Sequence, residues 1–237
     1  IFGSKTIVID TTVPSVAITS SALSNDSTPT VSGTAEAGAT VSAVIAGATY
    51  SVTATGGNWS VDTGTATPAG GSLSITSNGN NSVSVTATDT VGNVSSAVTQ
   101  TLYVDTNAPT VSSFTTATAS GSYKSGEAIV ITANTSENIQ NGNTITVTLD
   151  TTDTVLLTAA SAGTTLVGTY TVGAGDNSSG LTVSSFSIGT VADTAGNAMT
   201  STTLPAASSI FGSKTIVIDT TVPSVAITSS ALSNDST

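Results

Sequence analysis

The sequence predicts an all-β protein: antiparallel β-sandwiches arranged in tandem as an elongated array. Three observations predict it. Short stretches alternate Val or Ile with Thr or Ser, clusters of Gly, Asn, Asp and Ser separate them, and one long block of sequence occurs twice.

The alternating stretches come first. They are residues 15–19 (SVAIT), 40–46 (TVSAVIA), 49–55 (TYSVTAT) and 81–89 (NSVSVTATD). Later come 127–133 (EAIVITA), 144–150 (TITVTLD), 165–172 (TLVGTYTV) and 214–219 (KTIVID). Side chains on a strand point to opposite faces in turn, so Val and Ile face a core while Thr and Ser face water. Turn-rich separators such as SNGNN and GAGDNSSG end each run, as in an antiparallel sandwich. No long amphipathic helix is written in the chain.

Composition agrees. Charged residues make up only 7% of the chain, yet hydrophobic residues reach 38%, enough apolar material for folded sheets. Acids outnumber Lys and Arg by 14 to 3, for a net charge of −11. Such a surface repels phosphate backbones and anionic membranes, so nucleic-acid partners are excluded and no direct membrane insertion is expected. There is no His and no Cys. That removes imidazole bases, thiol nucleophiles, disulfides and the usual transition-metal ligands. No segment reads as a signal peptide or membrane span.

The repeated block sets the organisation. Ile1–Thr28 recurs letter for letter at Ile210–Thr237. Three similar phrases mark boundaries: VIDTTVPSV (8–16), YVDTNAPTV (103–111) and VIDTTVPSV (217–225). Each reads as a strand end, an Asp, and a Pro that cannot donate to a ladder. The expected domains are 10–104 and 105–218. Residues 1–9 match the last strand of a preceding repeat, and 219–237 match the start of the next. The repeating unit is then a pair of unlike domains, each touching only its neighbours in the chain.

Two longer patterns sharpen this. The run PTVSGTAEAGATVS, with GNWSV, NSVSVTATDTVGNVS and VDTNAPTV, resembles the bacterial immunoglobulin-like repeats of giant secreted adhesins and large repetitive surface proteins. The run GSYKSGEAIVITANTSENI, with YTVGAGDNSSGLTV, VADTAGNAMTSTTLP and KTIVIDTTVP, is similar to a second immunoglobulin-like repeat of such proteins. The resemblance implies tandem immunoglobulin-like sandwiches at a cell surface or outside the cell. It also implies an extender function, with Ca²⁺ at domain junctions in many relatives.

The acids can be placed on that fold. Linker Asp10, Glu36 in the B–C loop and Asp89 in the F–G turn are expected at one end of the first domain. Asp105, Glu137 and Asp193 take the same places in the second. Asp26 falls in the first domain's A–B loop, Glu127 and Asp176 lie near A–B and E–F of the second, and Asp219 repeats Asp10. Asp62, Asp150 and Asp153 map elsewhere, and Asp235 copies Asp26. Converging carboxylates repel one another unless a cation or proton intervenes. Ca²⁺ takes six to eight oxygens in loose geometry, which loop ends can offer, whereas Mg²⁺ demands a tighter octahedron. The plainer reading is that Asp and Asn in DTVGN and DTAGN are turn formers, with Gly at positive φ.

Other residues carry less. Trp59 reads as a core or rim aromatic before a sugar platform, and Tyr50, Tyr103, Tyr123 and Tyr170 read as packing residues. Asn25, Asn58, Asn80, Asn93, Asn134 and Asn177 begin N-x-[ST] triplets, as expected in a chain rich in these residues. Lys124 and Lys214 are the candidates for a Lys–Asn cross-link. With no His for a triad and acids at domain ends, catalysis is not expected. The leading expectation is a structural extender whose partners are adjacent identical repeats. The alternative is a repeat unit of a filament or surface layer that contacts neighbouring chains, with a glycan-binding module behind both.

Overall fold

The computed structural model describes residues 9–227. The expected end segments 1–9 and 219–237 therefore lie largely outside the described residues, as does Asp235. The described chain is all-β with no α-helix. It divides into two compact units: Ile1–Pro109 with Ala192–Met199, and Thr110–Val191 with Thr200–Thr237.

In the first unit, β1 (Val16–Ile18), β3 (Thr30–Ala35) and β6 (Asn58–Asp62) form a three-stranded sheet in the order β1-β3-β6. A six-stranded sheet runs β2-β9-β8-β4-β5-β7. Its strands are β2 (Leu23–Ser24), β4 (Thr40–Ile45), β5 (Ala48–Thr53), β7 (Gly70–Gly71), β8 (Gly79–Thr88) and β9 (Val98–Val104). One face of each sheet meets a common core. Val31 and Val61 come from the small sheet, and Val41, Ile45, Tyr50, Val85 and Leu102 from the large one. Trp59 completes that core at 3% exposure and donates from Nε1 to the carbonyls of Ala17 and Thr34, both at 3.2 Å. It is a core aromatic. Gly33 is required beneath it, because a Cβ there would collide with the Ala17 carbonyl oxygen and the indole ring.

The second unit also holds a six-stranded and a three-stranded sheet, joined in a different strand order. Its six-stranded sheet runs β10-β12-β15-β14-β13-β17. These are β10 (Val111–Thr115), β12 (Ala128–Ile139), β13 (Thr144–Leu149), β14 (Thr154–Thr158), β15 (Gly163–Thr171) and β17 (Val183–Thr190). A three-stranded sheet orders β11 (Gly121–Tyr123), β18 (Ile216–Asp219) and β16 (Asn177–Ser178) as β11-β18-β16. Ile129, Ile131, Ile145, Leu157, Leu166, Ile216 and Ile218 are fully buried. Phe114 and Phe186 meet edge-on with ring centroids 5.8 Å apart. This is a β-sandwich-like arrangement in each unit.

Both units open in the same way. The entering chain first pairs antiparallel with the next long strand, β1 with β3 and β10 with β12. It then pairs parallel with the last strand, β2 with β9 and β11 with β18.

Candidate functional site

The turns after β8 and β17 share one construction. Asp89 Oδ1 accepts from the backbone N–H groups of Val91, Gly92 and Asn93 at 2.9, 2.7 and 2.8 Å. Asp193 Oδ1 accepts from Gly196 and Asn197 at 2.6 and 2.8 Å. Gly92 and Gly196 both sit at φ of +100°, a conformation side chains resist. The fifth residue then reaches back. Asn93 Nδ2 donates to Asp89 Oδ2 at 2.7 Å and to the Asp10 carbonyl at 3.1 Å. Asn197 Nδ2 donates to Asp193 Oδ2 at 2.8 Å and to the Asp105 carbonyl at 2.8 Å. Each turn thus clasps the backbone of a linker Asp.

The linkers are gripped again nearby. Asn78, at a φ of +55°, accepts through Oδ1 from the Thr106 N–H and hydroxyl at 2.8 and 3.2 Å. In the second unit Asn177 Oδ1 accepts from the Thr220 N–H at 3.3 Å and the Thr221 hydroxyl at 3.4 Å. The linker aspartates also serve their own turns: Asp10, Asp105 and Asp219 Oδ1 accept from Thr12, Asn107 and Thr221 at 2.9, 3.1 and 2.9 Å. These are Asx turns, the structural role available to any such Asp.

Within the first unit, carboxylate oxygens of Asp105 and Asp193 lie within 4.8 Å of each other, close enough to share a metal ion. Asp193 is 1% exposed, and a carboxylate that deep is stable only when hydrogen-bonded, neutralised or metal-bound. Asp10, Glu36 and Asp89 form no metal-holding group of three among the described residues. Glu36 is exposed, and Asp10 is turned to its own linker.

Two placements correct the sequence reading. Glu137 is not in a loop: it lies within β12, just before Ile139, where the pairing with β15 slips between Asn134 and Ile139. Asp219 ends β18, as expected of the stretch 214–219. Asp153 belongs beside Asp176: the Tyr170 hydroxyl donates to Asp176 Oδ2 at 2.5 Å and to Asp153 Oδ2 at 3.4 Å.

The remaining acids are occupied locally. Asp26 accepts from the Thr28 N–H and hydroxyl at 2.8 and 3.0 Å, and Glu127 from the Lys124 N–H at 2.7 Å. Asp176 also accepts from the Gly173 N–H at 2.5 Å. The Tyr170 bond, with smaller help from Gly173 and Asp153, holds the Asp176 carboxyl below its usual range against the loss of water around it. Tyr170 is pushed up, first by burial and then by Asp176. At Asp89, desolvation pushes upward, but the bonds from the Asn93 side chain and three backbone N–H groups together outweigh it and lower the pKa. Lys214 Nζ donates to the Thr118 carbonyl at 2.8 Å.

The functional residues missed in the sequence are Asn93 and Asn197. Their signal was the shared Asp-Thr-x-Gly-Asn spelling, although the linker carbonyls they hold lie 83 and 92 residues away in sequence.

No family model and no curated protein matches the chain. Ten chains of solved structures do. One is chitinase ChiA74 from Bacillus thuringiensis, 16% identical, with a TM-score of 0.27 over 72% of this chain and 29% of that one. The chain thus spans under a third of the length of that neighbour. No helix among the described residues is long and apolar enough to cross a membrane.

Proposed function

We propose that the chain is a non-catalytic extender repeat of a large extracellular or cell-surface adhesin, with tandem immunoglobulin-like sandwiches stiffened by Ca²⁺. The observation that carries the reading is the paired clasp. Two turns of the same spelling hold two linkers through the same atoms, Asn93 on Asp10 and Asn197 on Asp105. An extender must transmit load from one sandwich to the next, and a linker bonded through its backbone resists being pulled free. The order of strands in the first unit, with β1-β3-β6 facing a sheet built on β9-β8-β4-β5, supports the immunoglobulin-like reading. Calcium is assigned to Asp105 and Asp193 of the first unit, whose carboxylate oxygens stand close enough to share it.

Calorimetry of the whole chain in calcium and in EGTA, with metal analysis, tests the calcium assignment. A higher unfolding temperature in calcium with bound metal supports it, while identical traces and no metal overturn it. Single-molecule stretching tests the extender: discrete unfolding steps of sandwich size are expected, and featureless extension defeats it.

A further inference from the structure

Each unit ties the stretch by which the chain enters it to the strand by which the chain leaves, and the two ties differ in extent. In the first unit β2 lies parallel to the end of β9 over two residue pairs, Leu23 with Tyr103 and Ser24 with Val104. The Tyr103 and Asp105 N–H groups donate to the Ala22 and Ser24 carbonyls, both at 2.8 Å. Gln100 Nε2 adds a bond to the Ser20 carbonyl at 3.1 Å.

In the second unit the tie is longer. β11 lies parallel to β18 over three pairs, Gly121 with Ile216, Ser122 with Val217 and Tyr123 with Ile218. Ahead of them, Phe114 and Ile210 form a parallel bridge, and the Phe211 N–H donates to the Phe114 carbonyl at 2.8 Å. Lys214 Nζ donates to the Thr118 carbonyl at 2.8 Å, and the Thr215 N–H to the Ser120 hydroxyl at 3.2 Å. The Gly121 N–H donates to the Thr215 carbonyl at 3.0 Å. Ile216 and Ile218, at 1% and 2% exposure, seat the leaving strand in the core. Bonds therefore join entry to exit at points from Phe114 to Tyr123, against the three residues Ser20, Ala22 and Ser24 with their β2 pairs in the first unit.

The bonds of a parallel pair are evenly spaced along it. Tension applied to the entering end of one strand and the leaving end of the other makes the two slide, so all of these bonds bear the load together. A chain held at its ends carries the same tension through both units, and the barrier each tie presents sets how fast that unit is forced open. We propose that the two units yield to tension in a fixed order, the first opening before the second because its tie is the shorter. The first unit is then a reserve of length, released while the second sandwich stays closed. The proposal rests on strand pairing alone and not on the calcium or adhesin readings.

Stretching the whole chain at a constant loading rate reads the order, because the two steps differ in length. The chain enclosed by the parallel strands runs over residues 23–104 in the first unit and 121–218 in the second. The second step is therefore longer by roughly 55 Å. In the unmodified chain the short step is expected first and at the lower force. The chain has no Cys, so a disulfide placed across one tie locks that unit alone. Oxidised L23C with Y103C should lose the short, early step and keep the long one. Oxidised S122C with V217C should lose the long, late step and keep the short one, and reductant should restore both. A long step that comes first, steps in random order, or one merged step overturns the proposal, as does loss of the late step in L23C with Y103C. The unmodified chain gives its reading from step length alone, so a variant that fails to fold leaves the test intact.

Discussion

The turns Asp89–Asn93 and Asp193–Asn197 differ by one letter, Val against Ala, and make the same bonds to their linkers. Their surroundings differ. Asp193 is 1% exposed, whereas Asp89 keeps contact with water. The five-residue spelling therefore specifies the internal bonds of the turn, and the packing around it specifies the electrostatic setting. A wet carboxylate is satisfied by backbone N–H groups and solvent. A dry one needs hydrogen bonds, a proton or a cation, and the calcium proposal attaches to the second turn because the Asp105 carboxylate stands within 4.8 Å of Asp193 there.

The largest effect that could break the comparison lies in the cores. Trp59→Ala in the first unit and Phe114→Ala in the second should each cost about 3–5 kcal/mol. If the units are separate cores, calorimetry will show each substitution lowering one transition and sparing the other. A single transition shifted equally by both would mean that the units melt together.

Next come the clasps. Asn93→Ala and Asn197→Ala each remove donors to a carboxylate and a carbonyl, for an expected loss of about 1–2 kcal/mol in denaturant titrations without calcium. Calcium sharpens the difference: N197A should lose most of any calcium-dependent gain, and N93A should keep it. Equal gains in both variants would remove the distinction between the turns. Gly92→Ala and Gly196→Ala should each cost about 1 kcal/mol, because both positions hold φ at +100°. Unequal losses would show that one turn can relax and the other cannot.

The smallest effect is the response to pH. Asp89 has a lowered pKa in the folded chain, so its contribution is present above the ordinary Asp range and is lost as pH falls through the folded value. Asn93→Ala should flatten that acid limb in melts recorded across pH. Tyr170 is raised, so its contribution is present below the ordinary Tyr range and fades as pH climbs through the folded value. Tyr170→Phe should remove that alkaline loss. It should also weaken the acid limb from Asp176, whose carboxyl Tyr170 holds low.

Much of the fold was legible because Val and Ile alternate openly in β4, β8, β12 and β13. Other strands hide the signal. In β3 the inward positions are Val31, Gly33 and Ala35, two of them too small to stand out. In β17 the buried Val183 and Phe186 are three apart, because the pairing with β13 slips between Thr148 and Leu149. Glu137 was misplaced for a related reason. The letters Ser-Glu-Asn read as a turn, yet β12 runs on through them past an irregularity in its pairing. Asp153 escaped because its link to Asp176 runs through Tyr170, from a different strand.

Sequence alone determined the strand-and-turn grammar, the acid-rich balance of charge and the duplication of 28 residues. It could not determine what stands against each strand. Ile218 is 2% exposed because β18 lies between β11 on one side and β16 on the other. Burial is a property of the strands packed against a residue, and those neighbours are brought together only by the tertiary structure.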